Sequence, residues 1–421
     1  MKIALLLHNA YGIGGTIRTT MNLAAALADR HDVEIVSMMR HRQTPRFALD
    51  PRVRLVPLVD TRPDGEDAKD PLFSQASQDF PAAEKRHHQY SRLIDTRVAA
   101  YLRDCPADVI IGTRPGVNVY ISRFAPRHAL RIAQEHLRHD AHSKKLRAEL
   151  ASHYRALDAV VTTTEADAAV YRAKMPMPGV RTLAIPNSVP EPAVAPSEGT
   201  APVIAAAGRL VPGKRFDLLI DAFATVAEKY PDWRLRIYGG GAEKERLAER
   251  IERLGLTGSA ELMGSRSPIE AEFAKASLVA VASDAESFGM TIVEAMRCGV
   301  PVVSTDCPLG PGEIIQDGVT GRLVPTGDEQ ALASALMDLI ADAPGRRAMG
   351  AAALERSRAY DPAPIAERYD RLFTELEASR FARSWERGRA TTRTRLGRLA
   401  RRLGVSPGRR RAPAARKEAS A

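Results

Sequence analysis

Aromatic residues make up only 5% of this 421-residue chain, cysteine occurs three times, and no apolar run approaches the roughly 18 residues that a bilayer-spanning helix needs. Cys105, Cys298 and Cys307 are an odd number without metal-ligand spacing, which excludes a disulfide framework and fits a reducing compartment. All three read as packing residues. The first strand candidate, Ile3–Leu7, is too short for a signal segment and has no small-residue cleavage site after it, so a cytoplasmic protein is expected. No D-x-D occurs. Its nearest echoes, Asp64-Gly65-Glu66 and Asp284-Ala285-Glu286, lie in a polar loop and in a motif discussed below, so neither a metal nor another cofactor is expected to be required. G-x-S-x-G, H-E-x-x-H and G-x-x-x-x-G-K-[ST] are also missing, which disfavours hydrolase, zinc-protease and P-loop chemistry.

The net charge of +10 is unevenly placed. From Phe381 to Ala421, twelve arginines and one lysine stand against Glu386 and Glu418, which exceeds the charge of the whole chain and leaves residues 1–380 close to neutral. A fold that recognises nucleic acid would carry the basic stripe on its own surface, so no specific nucleic-acid partner is expected. Within the tail, Leu396, Leu399 and Leu403 fall on one helical side among arginines. That pattern suits reversible attraction to an anionic membrane surface and equally suits a solvated tail.

At this length two domains are expected. Strand candidates at 2–7, 33–38, 53–59, 107–112, 129–134, 158–164 and 181–186 alternate with helical stretches, which is the rhythm of a parallel sheet over residues 1–188. Four prolines within residues 189–202 mark an interdomain linker. A second series, from Pro202-Val203 to Gly321–Pro325, supplies another Rossmann-like half over residues 203–358. Ile365, Tyr369, Leu372, Phe373 and Leu376 recur at helical spacing and predict a last helix within 359–380 with one buried face. Residues 61–85 show no sustained apolar period, and both a mobile loop over a cleft and a plain surface insertion fit them.

Residues 282–324 are the most informative. Glu286 and Glu294 stand eight apart with Gly289 between them at a predicted helix start, where the N–H groups of Phe288, Gly289, Met290 and Thr291 would lack partners. Such a terminus suits a phosphate or sugar hydroxyls. Glu294 should lie deeper along the same wall, a spacing suited to an elongated ligand rather than to a catalytic dyad. The plain alternative is a buried strand and helix with two solvent-facing acids. Arg209 and Lys214 lie on a loop ahead of a helix and form a pair able to hold a diphosphate, or merely a solvated basic loop. The first βα turn contains Gly14 and Gly15, and both a tight turn and a ligand-binding loop fit it.

The segment Glu286–Glu294, the strand Gly299-Val300-Pro301-Val302-Val303 and the turn Gly318–Val324 together resemble glycosyltransferase family 4, the retaining GT-B enzymes. The resemblance implies two Rossmann-like domains whose parallel sheets face each other across a cleft, with the last helix crossing back to the first domain. It implies a donor nucleotide sugar and an acceptor that is a glycan, a lipid-linked sugar or a small-molecule hydroxyl. In that frame Gly14 and Gly15 border the donor, Arg209 and Lys214 neutralise the departing diphosphate, and the Phe288–Thr291 backbone binds sugar hydroxyls and phosphate. Glu294 binds the ribose and Glu286 supports the reacting sugar, by covalent attack or without it. Gly239, in Gly239-Gly240-Gly241, passes beneath the nucleotide. His136 contacts the donor sugar, with Glu135 a lesser candidate, although a lone histidine is more often structural. Glu313 either lies near the donor or caps a helix; Gly264-Ser265-Arg266 either contacts the base or ends a strand. His8, Asn187 and Arg215 read as structural. Two rivals share the composition: a GT-B-fold nucleotide-sugar 2-epimerase, which would convert donor without acceptor, and a non-catalytic membrane-surface adaptor, which would bind no donor.

Overall fold

The computed structural model describes residues 1–402, the side chains of 393–402 excepted; Leu403 and the remaining arginine-rich segment lie outside the described residues. Among the described residues thirteen strands form two all-parallel sheets. The first contains β1 (Lys2–Leu7), β2 (Asp32–Arg40), β3 (Arg54–Asp60), β4 (Val109–Gly112), β5 (Leu130–Glu135), β6 (Ala159–Thr162) and β7 (Arg181–Ala184), in the order β3-β2-β1-β4-β5-β6-β7. The second contains β8 (Val203–Ala207), β9 (Arg234–Tyr238), β10 (Ala260–Gly264), β11 (Leu278–Val281), β12 (Val302–Thr305) and β13 (Gly321–Val324), in the order β10-β9-β8-β11-β12-β13. Every strand candidate in the sequence is a strand.

Helices cover both faces of each sheet, so the central strands are buried on both sides and read as continuous apolar runs. In the first sheet β1 pairs with β2 and β4, Ile3 lying opposite both Val33 and Val109. In the second, β8 pairs with β9 and β11. Strand order therefore reverses at β1 and at β8, and the loops leaving the carboxyl ends of these strands carry Gly14 and Arg209. Ligands of open parallel sheets bind at such reversals.

The helix Pro362–Ala378 follows the second domain in sequence yet buries Ile365, Ala366, Tyr369, Leu372, Phe373 and Leu376 in the first domain's core, beside Ile3, Leu5 and Met21. Fully burying a side chain of this kind contributes about 1.5–3 kcal/mol. The architecture is GT-B, including the helix that crosses back.

Residues 61–85 differ from a mobile loop. Phe80 is buried and stacks on Tyr90 with ring centroids 3.6 Å apart. The buried Asp95 carboxylate accepts from Ser77 Oγ, from the Gln78 N–H at 2.9 Å and from Tyr120 Oη. A few anchors, too sparse to produce periodicity, fix this insertion to the domain.

Candidate functional site

The helix Met290–Arg297 begins at Gly289, whose φ of 111° lies in the left-handed region that favours glycine. The first intrahelical donors are Ile292 and Val293, both to the Gly289 carbonyl, so the N–H groups of Phe288, Gly289, Met290 and Thr291 meet no acceptor among the described residues. Ahead of this tip, the Glu286 carboxylate accepts from Lys214 Nζ and from Ser283 Oγ, the latter at 2.7 Å. The Glu286 side chain is 13% exposed and that of Lys214 24%, so the pair is largely withdrawn from water while its cation still borders solvent.

Two loops hold this pair together. The Asp284 N–H donates to the Gly213 carbonyl at 3.0 Å, and Arg215 reaches Asp284 and Asp217 at 3.1 and 3.2 Å, as a structural ion pair. Arg209 is exposed and makes no side-chain hydrogen bond or ion pair among the described residues. Arg215 and Leu309, with φ of 49° and 68°, are the non-glycine residues with left-handed backbone among those described, and each lies on a loop against the site. Such strain costs about 1–3 kcal/mol and gathers where function demands an unusual backbone.

Across the cleft, the helix Gly15–Leu27 starts with no acidic residue in its first turn and no side-chain cap. The N–H groups of Gly15, Thr16 and Ile17 have no acceptor among the described residues, and a Cβ added at Gly14 or Gly15 would meet nothing within 4 Å. At Gly15 packing does not require glycine, whereas close approach of a ligand would. Gly239 is different, because a Cβ there would lie 1.8 Å from the Gly208 carbonyl oxygen. Its glycine is explained by the contact between the loops after β8 and β9.

Glu294 does not stand free for a ribose in this conformation. Arg18, one turn into the Gly15 helix of the first domain, donates to Glu294 Oε1 at 3.0 Å and to Glu270 Oε1. One guanidinium thus serves two buried carboxylates, and burial outweighs its attraction: the Glu294 pKa rises from 4.5 to about 7, with Glu270 adding to the rise. Folded protein therefore holds a proton that the unfolded chain releases between these values, and stability falls as pH climbs from about 4.5 to about 7. Glu294→Gln is expected to flatten that part of the profile relative to the parent, measured by urea unfolding at a series of pH values. An unchanged slope would show that Glu294 ionises normally.

His136 follows β5. Its Nε2 is buried without a partner, and burial lowers its pKa to about 4, so the ring is neutral near pH 7. Glu135, the lesser candidate, points into the interior: Asn118 Nδ2 donates to it at 2.9 Å and Tyr154 Oη donates to the same oxygen, while His142 Nε2 lies 3.6 Å away. It is buried and ties β5 to Asn118 and Tyr154. Glu313 does cap a helix, but one in the other domain, accepting from the N–H groups of Glu165 and Ala166 at 2.9 and 2.8 Å. Thr163 Oγ1 adds a second bridge to the Ser287 carbonyl at 2.7 Å. Gly264 ends β10 and accepts from the Gly239 N–H at 3.0 Å. His8 is structural, bonded through Nδ1 to Tyr90 Oη at 2.8 Å, with a pKa lowered to about 3 by burial and the nearby Arg114 and Arg86. Asn187 is buried near the crossing to the second domain.

Sequence reasoning did not single out Arg18, Glu270, Ser283 or Thr163. Arg18 offered a weak signal as the sole cation in the otherwise uncharged stretch Gly12–Leu27, but its partners lie 252 and 276 residues away.

Residues 190–356, the second domain with its linker, match the family model of glycosyl transferases group 1. Among curated relatives, an exopolysaccharide phosphotransferase of Streptomyces coelicolor is 35% identical over 393 residues, 90% of this chain. The present chain spans only 41% of that relative's length. A D-inositol 3-phosphate glycosyltransferase of Kribbella flavida is 36% identical over 169 residues, covering 38% of this chain and 40% of its own. The fold is shared with sucrose-phosphate synthase of Thermosynechococcus elongatus, at a TM-score of 0.73 and 21% identity over 90% of this chain and 99% of that one. It is also shared with HepE of Anabaena, solved with UDP-glucose, at a TM-score of 0.66 and 22% identity over 90% of this chain and all of that one.

Proposed function

We propose that this protein is a retaining, metal-independent glycosyltransferase, moving a sugar from a UDP- or GDP-linked donor to an acceptor hydroxyl in glycan, glycolipid or polysaccharide synthesis. The observation that carries this reading is the Lys214–Glu286–Ser283 cluster placed before a helix tip whose first four N–H groups lack acceptors. Transfer breaks the bond between the anomeric carbon and the diphosphate oxygen and forms one to the acceptor oxygen, whose proton passes to the leaving phosphate. Negative charge grows on the diphosphate as the bond breaks, and Lys214 with the unpaired Arg209 would meet it. The amides of Phe288–Thr291 and Gly15–Ile17 would add dipoles from both domains. Neutral His136 suits a hydrogen bond to a sugar hydroxyl. For Glu294 to reach the ribose, Arg18 must release it, so donor entry and domain opening are coupled in this reading.

The test is a thermal-shift screen of nucleotide sugars followed by product analysis. A donor at 100 times its dissociation constant is expected to stabilise the fold by about 2.7 kcal/mol. Acceptor-dependent release of the nucleoside diphosphate should follow, with the donor's anomeric configuration kept in the product. Stabilisation by no nucleotide sugar would sink the proposal; conversion without acceptor would favour an epimerase, and an inverted product would refute retention.

A further inference from the structure

The chain continues beyond the crossover helix as a second helix, Arg380–Arg402, in which nine arginines stand against the single acid Glu386. One face of it is fastened to the first domain. Arg383, itself buried, donates to Asp158 Oδ1 at 2.6 Å and to the Leu376 carbonyl at 2.7 Å, and Arg387 reaches the same carboxylate at 3.1 Å and the Leu157 carbonyl at 2.9 Å. The fit is close enough that a Cβ on Gly179 would lie 2.4 Å from the Arg383 carbonyl oxygen.

The opposite face carries two large apolar side chains in water. Phe381 is 92% exposed and Trp385 65%. At about 100° per residue both sit roughly half a turn around the helix from Arg383. Arg389 stacks over the Trp385 ring, 4.5 Å from its centroid. Among the described residues no helix is long and apolar enough to cross a membrane. An apolar stripe flanked by arginines, too polar to span a bilayer, has the composition of a helix lying in the lipid–water interface.

We propose that the helix Arg380–Arg402 docks the protein on an anionic lipid surface through its Phe381/Trp385 face. The charge is complementary: each arginine held near such a surface contributes about 1 kcal/mol, and among residues 380–392 Arg383 and Arg387 are engaged by Asp158 and Arg380 by the Arg127 and His128 carbonyls, whereas Arg389 lies over the Trp385 ring on the exposed face. Nucleic acid would account for the arginines but not for the two exposed rings. The clamp also sets orientation. Asp158 and Gly179 lie just before β6 and β7, at the edge of the sheet opposite the loops that form the cleft, so the cleft faces away from the lipid.

The experiment uses the full chain with vesicles of phosphatidylcholine containing phosphatidylglycerol, compared with phosphatidylcholine alone. Cosedimentation is expected with the anionic vesicles only and should weaken as salt rises. Tryptophan emission should shift to the blue on binding, and because the other tryptophan, Trp233, is buried, the shift reports Trp385. Phe381→Glu with Trp385→Glu should weaken binding by more than about tenfold, and Phe381→Glu alone should diminish the blue shift. These exposed positions are remote from the cleft and pack on nothing in the core, so the thermal unfolding midpoint of the variants should match the parent's and serves as the check of folding. Absence of anionic-vesicle binding, binding that survives the double substitution, or a blue shift produced by RNA or self-association instead would overturn the assignment. None of these outcomes depends on the sugar-transfer reading.

Discussion

Lys214→Ala is expected to lower turnover by about 10²–10³-fold, the scale of removing one group that stabilises charge developing in a transition state. The reasoning rests on position. Lys214 lies on the loop that leaves the reversal strand β8, and its Nζ is shared with Glu286 at the edge of the amide-lined tip. A diphosphate arriving there would compete with Glu286 for the same cation and gain on it as negative charge grows during bond breaking. The kinetic signature separates roles: loss in kcat and in kcat/KM together marks a transition-state contact, whereas a raised KM alone marks simple donor binding. A purely structural Lys214 would give a third pattern, lowered stability with normal turnover of the folded fraction. Glu286→Gln, which keeps the Ser283 contact and removes the charge, should leave the fold intact and also slow turnover. Near-normal rates in both variants would refute the assigned roles.

Gly310→Ala is expected to destabilise the second domain by about 3 kcal/mol, from a strained backbone added to overpacking. Gly310 has φ 123°, and its missing Cβ would lie 2.0 Å from the Phe288 carbonyl oxygen and 2.7 Å from the Phe288 carbonyl carbon. Both neighbours are backbone, so no side-chain rotation relieves the clash. The loop after β12 would have to move away from the tip of the Met290 helix, and with it the amides proposed to receive the donor. Chemical denaturation measures the first effect and donor-induced thermal stabilisation the second. A variant as stable as its parent would mean that the two loops part without cost. Gly213→Ala is the matched control, because a Cβ there meets nothing within 4 Å.

The fold was legible because parallel strands covered on both faces carry their signal locally, as in Ile3–Leu7 and Val302–Thr305. The tip at Gly289 was legible for a related reason: a helix start, a left-handed glycine and two acids all fall within one short segment. What the sequence concealed depends on contacts between distant parts of the chain. Arg18 bridges Glu270 and Glu294 across the cleft, Glu313 caps a helix of the other domain, and Glu135 turns inward to Asn118 and Tyr154. No local spacing encodes such partners. The insertion at 61–85 illustrates the same limit, since its order comes from Phe80 against Tyr90 and from Asp95, not from any periodicity of its own.

The chain passes between the two halves at Val189 and again at Tyr360, and these passages lie side by side, the Val189 N–H bonded to the Tyr360 carbonyl at 2.9 Å. Once the Arg18, Glu313 and Thr163 contacts across the cleft part, bodies joined along this seam would swing like the covers of a book more readily than they slide apart. Groups next to the spine, such as Phe288 with its ring 5.7 Å from that of Tyr360, then hold nearly still while those at the outer margin sweep the greatest arc. The helix tip at Gly289 would thus be kept steady, and the gap above it would widen or narrow by pivoting.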